Sequence, residues 1–293
     1  MATRDEWIQG ARPLTLPAAV APVLLGTAIA YFEGGLNLII ALFALVVSLA
    51  LQIGVNYAND YSDGVRGTDD VRVGPVRLVG QGLAEPNAVK RAAFISFGIA
   101  ASAGLIMILL SGLWILLPVG LAAIWSAWFY TGGRNPYGYA GFGELFVFVF
   151  FGLVAVMGTT SAQTGSFSWV SLLFGISCGA FSAAILVANN LRDIPTDTEN
   201  GKRTLAVRLG DKNTRELYKA LIALAFFMPV IAWFQQDGPM YAYVALFAIL
   251  SARYPLHLIQ TGKTGAELIP VLIFTGRLLL IFSVITSIAI SFS

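Results

Sequence analysis

Asn56-Tyr57-Ala58-Asn59-Asp60-Tyr61-Ser62-Asp63 closes an apolar run that begins at Leu36. Asn189-Asn190-Leu191-Arg192-Asp193-Ile194-Pro195-Thr196-Asp197 closes another that begins at Trp169. In the first stretch Asn56, Asn59, Asp60 and Asp63 stand at i, i+3, i+4 and i+7; in the second Asn189, Asp193 and Asp197 stand at i, i+4 and i+8. On a helix either set falls along one face. The chain therefore carries two carboxylate ladders, each at the end of an apolar helix. Fold class and chemistry are both read from that placement.

Working outward, the 293 residues are 57% hydrophobic and only 12% charged, with a mean hydropathy of +0.76. Soluble domains carry about 25% charged residues. The deficit, together with repeated long apolar runs, assigns the chain to a lipid bilayer. The runs are Leu14–Phe32, Leu36–Tyr57, Ala92–Leu110, Leu113–Tyr130, Phe142–Thr159, Trp169–Leu191, Leu217–Phe234, Met240–Gln260 and Leu268–Phe292. They predict an all-α polytopic membrane protein, a nine-transmembrane-helix bundle forming a single domain over 1–293. The first run is read as a span, not a cleaved signal, with Pro17 and Pro22 bending it. Ser111-Gly112 leaves room only for a tight hairpin. Asn-x-x-x-Asp ends both the second and the sixth run, which suggests two parallel halves, 14–130 and 142–260, followed by a ninth helix at 268–292.

With the N-terminus cytosolic, every Lys and Arg except Arg253 and Arg277 falls in a cytosolic segment, and the opposite side carries only Glu33 and Asp237. This satisfies the positive-inside rule and puts both ladders at the cytosolic face. Arg253 and Arg277 lie within spans and are expected to face the bundle interior, as is His257. A net charge of +2 gives nucleic acid binding no support. Cys178 is the sole cysteine and His257 the sole histidine, which excludes a disulfide framework and Cys- or His-rich metal sites. Cys178 reads as a small apolar helix residue. Gly175 and Gly179 read as a close-packing seam.

A single Asp or Asn at a membrane border is an ordinary cap or turn residue. Asp60, Asp63, Asp193 and Asp197, flanked by Asn56, Asn59 and Asn189, repeat one spacing twice, and carboxylates gathered in this way repel unless a cation joins them. Oxygen ligands alone select Mg2+ or a similar hard ion, which leaves coordination positions for substrate phosphates. The basic residues that follow the ladders, Arg66, Arg72 and Arg77 after the first and Lys202 and Arg203 after the second, suit the outer oxygens of a diphosphate. The same residues also serve as topology signals. Trp125, Trp128, Phe129 and Tyr130, then Phe142, Phe146, Phe148, Phe150 and Phe151, are either packing residues or the lining of an isoprenoid channel that stabilises a carbocation. Glu144 lies just inside the fifth span, where it is a functional candidate, a partner for Arg134 or a helix cap. A cation or proton-coupled transporter also places acids in a membrane, but its site usually lies near the midplane on broken helices.

Three stretches carry a family resemblance: Asn59 to Asp69 running on to Arg77, Gly138 to Glu144, and Asn189 to Asp197 with Gly201 to Ala206. The chain resembles the UbiA superfamily of intramembrane aromatic prenyltransferases along essentially its whole length. It is most similar to the branch that prenylates 1,4-dihydroxy-2-naphthoate in bacterial menaquinone biosynthesis. Where the hydroxybenzoate branch shows Asn-Asp-x-x-Asp-x-x-x-Asp, this chain has Gly67 at the last position when read from Asn59, or Gly64 when read from Asn56. One acid is absent, and both asparagines stay open as metal ligands. The resemblance implies Mg2+ as cofactor, with Asn56, Asn59, Asp60, Asp63, Asn189, Asp193 and Asp197 as its ligands. It implies Asp60, Asp63, Asp193 and Asp197 as the catalytic acids, and polyprenyl diphosphate and 1,4-dihydroxy-2-naphthoate as substrates. Tyr130, Arg134, Tyr137 and Glu144 are the candidate substrate contacts. The implied setting is the plasma membrane, with the site facing the cytoplasm. Prenylation of 4-hydroxybenzoate or another aromatic ring is the alternative within the family.

Overall fold

The computed structural model describes residues 2–67 and 76–293. Every apolar run forms helix: α1 (Arg4–Gly10), α2 (Pro17–Phe32), α3 (Leu38–Val65), α4 (Pro86–Ser111), α5 (Leu116–Phe129), α6 (Gly143–Phe148), α7 (Ala155–Thr164), α8 (Trp169–Glu199), α9 (Leu205–Trp233), α10 (Ile249–Gln260) and α11 (Ile269–Ser291). No strand occurs among the described residues. Seven helices are long and apolar enough to cross a bilayer, or up to eight if the bent pair Arg4–Thr15 and Pro17–Phe32 is one span. This differs from nine because α5, at 14 residues, falls short of the roughly 20 that a span needs. The chain is an integral membrane protein.

The local signals account for the boundaries. Asn37 caps α3 by accepting from Ile39 N and Ile40 N, and Ser168 caps α8 by accepting from Ser171 N. Gly112 takes a left-handed φ of 70° and ends α4 before the tight turn. Pro17 does not bend the first span from within. It occupies the first turn of α2, where its missing N–H costs nothing, and the 51° bend lies just before it.

Helix α8 is the hub. It is the most buried span and packs on α9, α11, α6, α2 and the turn between α6 and α7. That turn, Val149–Val154, is a π-helical segment, and its Gly152 meets Gly179 of α8 backbone to backbone. Phe174, Cys178 and Phe181 of α8 are fully buried, and Phe181 stacks edge-on against Phe226 of α9 and Phe282 of α11. The expected glycine seam and the apolar cysteine are both present. By contrast α3, α4 and α5 share a smaller core of their own around Tyr57, Leu78, Val89 and Phe97. Between the α8-centred body and the α3–α5 layer the helices part and leave a deep cavity.

The contact of α8 with α6 and the π-helical segment after it has no room for side chains. A Cβ on Gly152 would overlap Gly179, and one on Gly179 would lie 2.6 Å from Phe148 O. Gly152→Ala is expected to lower the thermal midpoint of the detergent-purified protein by roughly 5 °C or more, the usual cost of overpacking. Gly104→Ala, where the nearest atom is Val47 Cγ2 at 3.7 Å, is expected to leave it unchanged.

Candidate active site

The last turns of α3 and α8 face one another across the head of a cavity of about 920 Å³. Asn56, Asn59 and Asp63 line it from one side; Asn189, Asp197 and Lys202 line it from the other. Below this polar head the walls turn apolar, with Leu51, Val47 and Ala44 along α3, Met107 and Ile108 on α4, and Phe150 opposite. A volume of this size, with a few convergent polar groups at one end, is what a small-molecule site requires.

Asp63 joins the two sides. Its Oδ1 accepts from the Tyr139 hydroxyl and lies 3.4 Å from Lys202 Nζ. Lys202 Nζ also stands 4.5 Å from the Tyr139 ring centre, so phenol, ammonium and carboxylate form one buried unit. The end of α8 aims Lys202. Gly201 takes φ 70°, Gly201 N donates to Thr198 O at 3.2 Å, and Lys202 N donates to Asp197 O at 2.8 Å. This pair of bonds is a Schellman closure, which turns the chain back over the helix end. Asp197 Oδ2 accepts from Thr204 Oγ1 at 3.5 Å, and Thr204 in turn caps α9. Tyr139 O accepts from Arg203 N at 2.9 Å and holds the Tyr137–Ala140 turn against this loop.

Two ladder acids do not line the cavity. Asp60 is fully buried, and its oxygens accept from Leu78 N at 2.7 Å and Val79 N at 3.0 Å. Residues 56, 59 and 63 cluster within about 60° on the helical wheel, and residue 60 lies to one side of their mean direction. Asp193 is buried beneath Arg192, whose Nε and Nη2 donate to its Oδ1 and Oδ2 at 2.6 and 2.7 Å. Arg192 itself lines the cavity. Asn56 does line it, but its Nδ2 donates to Ala11 O at 2.9 Å and Thr15 Oγ1 at 3.1 Å, tying α3 to the elbow before α2. Asn59 Oδ1 accepts from Thr131 Oγ1 at 2.8 Å, and Asn189 Oδ1 accepts from Arg192 Nη2 at 2.9 Å.

The expected diphosphate cations divide. Arg77 and Lys202 are buried and line the cavity. Arg66 is exposed and donates to Thr131 O and Gly133 O, stitching the end of α3 to the segment after α5. Arg203 and Arg134 are exposed and do not line the cavity. Arg72 lies outside the described residues. Tyr130 and Tyr137 line the cavity, and burial pushes the Tyr137 phenol above its ordinary range, so it stays a donor to Ser126 O at 2.9 Å. Glu144 does not reach Arg134; its Oε1 accepts from Asn190 Nδ2 at 2.8 Å. Of the aromatic residues, Phe146, Phe150 and Phe151 line the cavity, whereas Trp125 and Phe142 point outward. His257, Arg253 and Arg277 are exposed, which corrects the expectation that they face the interior.

The sequence reading missed Tyr139, although it lies inside the Gly138–Glu144 stretch. It also missed Arg12, which lines the cavity from a left-handed φ of 55°. A Tyr is ordinary at a membrane border, and nothing in the local pattern marks one that bridges two distant helices.

Among the described residues no three Asp, Glu, His or Cys gather closely enough to hold an ion alone. Mg2+ does not need three, because one or two carboxylates and substrate phosphates suffice. Asp63 and Asp197, with the amide oxygens nearby, are a hard all-oxygen set of that kind, so the residues present fit the ion.

A family model described as the UbiA prenyltransferase family matches residues 19–288. The chain is 51% identical over 292 residues to a 1,4-dihydroxy-2-naphthoate octaprenyltransferase of Mycobacterium tuberculosis (strain ATCC 25618 / H37Rv), covering 100% of this chain and 99% of that protein. It is 38% identical to the octaprenyltransferase of the same name from Escherichia coli (strain K12), covering 85% and 84%. Among solved structures, an apo UbiA homologue from Aeropyrum pernix K1 superposes with a TM-score of 0.71 at 16% identity, covering 94% of this chain and 96% of that one. A UbiA homologue from Archaeoglobus fulgidus bound to GPP and Mg2+ superposes with a TM-score of 0.70 at 14% identity, covering 98% and 99%. These last two show the shared fold.

Asp60 carries a structural consequence that is independent of any reaction. It accepts the two amides at the start of the segment that returns to α4, directly after Arg77. Asp60→Asn places an NH2 group against one of those amides, leaving two buried donors opposed. Tryptic cleavage at Arg77 is expected to accelerate at least several-fold in Asp60→Asn, while cleavage at Lys212 keeps its wild-type rate.

Proposed function

The chain belongs to the UbiA prenyltransferase family, and from that premise we propose that it transfers a polyprenyl chain from polyprenyl diphosphate to 1,4-dihydroxy-2-naphthoate, with loss of CO2, to give demethylmenaquinol. The observation that carries this reading is the cavity itself: Asp63 and Lys202 meet across its polar head, and its tail is lined mostly by apolar side chains. A diphosphate bearing a long hydrocarbon has the same polarity profile. The relatives' printed names support naphthoate as the ring.

Asp63 and Asp197, with Asn59 and Asn189 beside them, are the residues that would hold Mg2+. When bound, the ion supplies charge neutralisation to the departing diphosphate. Lys202 and Arg77 bind the outer diphosphate oxygens as buried cations. The allylic C–O bond breaks and its electron pair leaves on the diphosphate. Tyr130, Tyr137 and Phe146 present ring faces to the cation that remains. The naphthoate carbon that bears the carboxylate forms the new C–C bond while its neighbouring ring hydroxyl gives up a proton to a ladder carboxylate oxygen not engaged with the ion. The resulting keto acid loses CO2, its electrons pass to the ring oxygen, and the proton returns there.

Asp60 and Asp193 act at one remove in this reading. Asp60 fixes the segment that presents Arg77, and Asp193 fixes Arg192 at the cavity wall. Arg66 contributes through its bonds to Thr131 O and Gly133 O, and the exposed Arg134 and Arg203 through topology. The charge distribution supports a cytosolic N-terminus and a cytoplasm-facing site in a bacterial plasma membrane, with α5 as a short additional membrane-embedded helix and nine helices in all.

Detergent-purified protein supplied with Mg2+, a polyprenyl diphosphate and 1,4-dihydroxy-2-naphthoate is expected to release diphosphate and form the prenylated ring, in preference to 4-hydroxybenzoate. Asp63→Asn and Asp197→Asn are expected to lower turnover by roughly 10²-fold or more. Both should also move the Mg2+ midpoint upward. Asp60→Asn is expected to raise the donor KM while leaving the Mg2+ midpoint in place. A midpoint in Asp60→Asn shifted as far as that of Asp63→Asn would make Asp60 a metal ligand and remove its positioning role. No product from any ring acceptor, with ion flux in liposomes, would overturn the enzyme reading itself.

A further inference from the structure

Arg253 and Arg277 lie within the membrane spans Ala242–Gln260 and Gly265–Ser291, yet both are exposed on the outer surface of the bundle. On α11 the exposed positions Arg277, Ile281, Val284 and Ile288 recur at i, i+4, i+7 and i+11, so Arg277 continues a lipid-facing stripe. On α10 the exposed positions Leu250, Arg253, Tyr254 and His257 run along one side in the same way, while Ala252, Pro255 and Ile259 point inward. The two stripes touch. The Tyr254 and Phe274 rings are 4.6 Å apart, and the Arg277 guanidinium stands 5.1 Å from the Phe274 ring centre.

The depths match. Arg253 is seven residues before the end of α10 and Arg277 eight residues after the start of α11, which places each roughly 10–12 Å along its helix from the same end. That end is the one bearing the acidic ladders: Arg215, early in α9, donates to Ile259 O at 2.8 Å and Lys263 O at 2.7 Å. Guanidinium groups at this depth require an anion or a path to water. No carboxylate pairs with either arginine among the described residues. Glu267 is the sole acid from Met240 to Phe292 and pairs with Lys263 at 2.5 Å; Asp211 pairs with Arg215 at 2.8 Å and Glu216 with Lys219 at 2.6 Å. The anion facing this wall in the bilayer is a lipid phosphate.

We propose that the outer face of α10 and α11 is a binding site for an acidic phospholipid headgroup in the leaflet on the ladder side, with Arg253 and Arg277 as its cationic contacts, His257 and Tyr254 as polar neighbours, and Leu250 and Ile281 against the acyl chains. Basic residues between transmembrane helices near one leaflet favour anionic headgroups in this way. The exposed stripe of Arg277, Ile281, Val284 and Ile288 is centred about 90° around α11 from the cavity-lining Ile269, Leu272, Ile273 and Gly276, and the site does not depend on the reaction proposed above.

The test is native mass spectrometry of the full chain released from phosphatidylcholine nanodiscs doped with phosphatidylglycerol, compared with Arg253→Gln/Arg277→Gln and with Lys212→Gln as an exposed basic control. Wild type and Lys212→Gln are expected to retain phosphatidylglycerol over phosphatidylcholine, and the double variant to lose that preference by roughly 25-fold, about fivefold for each basic side chain. Thermal midpoints measured in pure phosphatidylcholine check folding, and the single Arg277→Gln variant, with about fivefold loss expected, stands in if the double variant does not fold. Equal retention of the two lipids by wild type, or unchanged phosphatidylglycerol retention in the double variant, overturns the proposal. So does a concentration-dependent dimer that the double variant abolishes without lipid loss, which would assign the face to a second copy.

Discussion

Four carboxylates at the rim of an apolar bundle impose the constraint on which the rest of this structure depends. A charge placed there and left unpaired costs several kcal/mol. Each of the four meets the demand differently. Asp60 takes two backbone amides, and Asp193 takes both prongs of Arg192. Asp63 and Asp197 take partners that stand across or beside the cavity: Lys202, Tyr139 and Thr204. The first pair is thereby sealed into the framework. The second pair keeps its oxygens at the cavity wall, where a metal-bound anion can compete for the same cations. The four acids thus differ in whether their described partners come from the framework or from the cavity wall.

Helix length puts this constraint at the rim and not the midplane. At about 1.5 Å per residue, the 28 residues of α3 extend roughly 42 Å and the 31 residues of α8 roughly 46 Å, against a hydrocarbon core of about 30 Å. The ladders occupy the overhang. Both continue the helix instead of opening a loop, so side chains some seven residues apart stay in register and face the same cavity. A transporter site on unwound helices at half depth would need a break in α3 or α8 near the middle, and both helices run unbroken through it.

That overhang was legible from the sequence, because an apolar run followed by Asn and Asp at helical spacing has few other interpretations. The choice among ladder members was not. Asp60 and Asp63 differ by about 60° around one helix, and the amides that hold Asp60 away from the cavity belong to Leu78 and Val79, which lie beyond a segment with no periodic signal. Arg66 illustrates the same limit. Its position after Asp63 suits a diphosphate, yet its guanidinium reaches the Thr131 and Gly133 carbonyls. Tyr139 matters because two loops meet at it, and spacing along one chain segment carries no trace of such a meeting. For Arg253 and Arg277 the expectation that membrane charges turn inward was a rule about cost, and the helical stripes of Ile281, Val284 and Leu250 show which way those faces turn.

The division of the cavity also bears on how a reactive cation would survive in it. Tyr130, Tyr137, Phe146 and Phe150 form a continuous aromatic chain from the polar head into the apolar tail, with successive ring centres 5.6, 4.1 and 6.2 Å apart. The Tyr137 phenol is spent on Ser126 O and stays protonated, so it presents a ring face and no nucleophilic oxygen to its surroundings. Water, the competing nucleophile for an allylic cation, would have to enter through the head. There Arg77, Lys202 and ladder residues line the wall, and a bound diphosphate would occupy the space between them. Below the head most of the wall, including Val47, Ala44, Met107 and Ile108, offers water no hydrogen bond, and Ser48, Thr159 and Ser182 are the hydroxyls that interrupt it. Ionisation at the boundary between these two zones leaves the leaving group in the half that stabilises anions and the prenyl carbon in the half that excludes water. The placement of the aromatic chain at that boundary therefore serves both halves of one reaction, and it follows from packing α6 and the π-helical segment after it against α8 at Gly152 and Gly179.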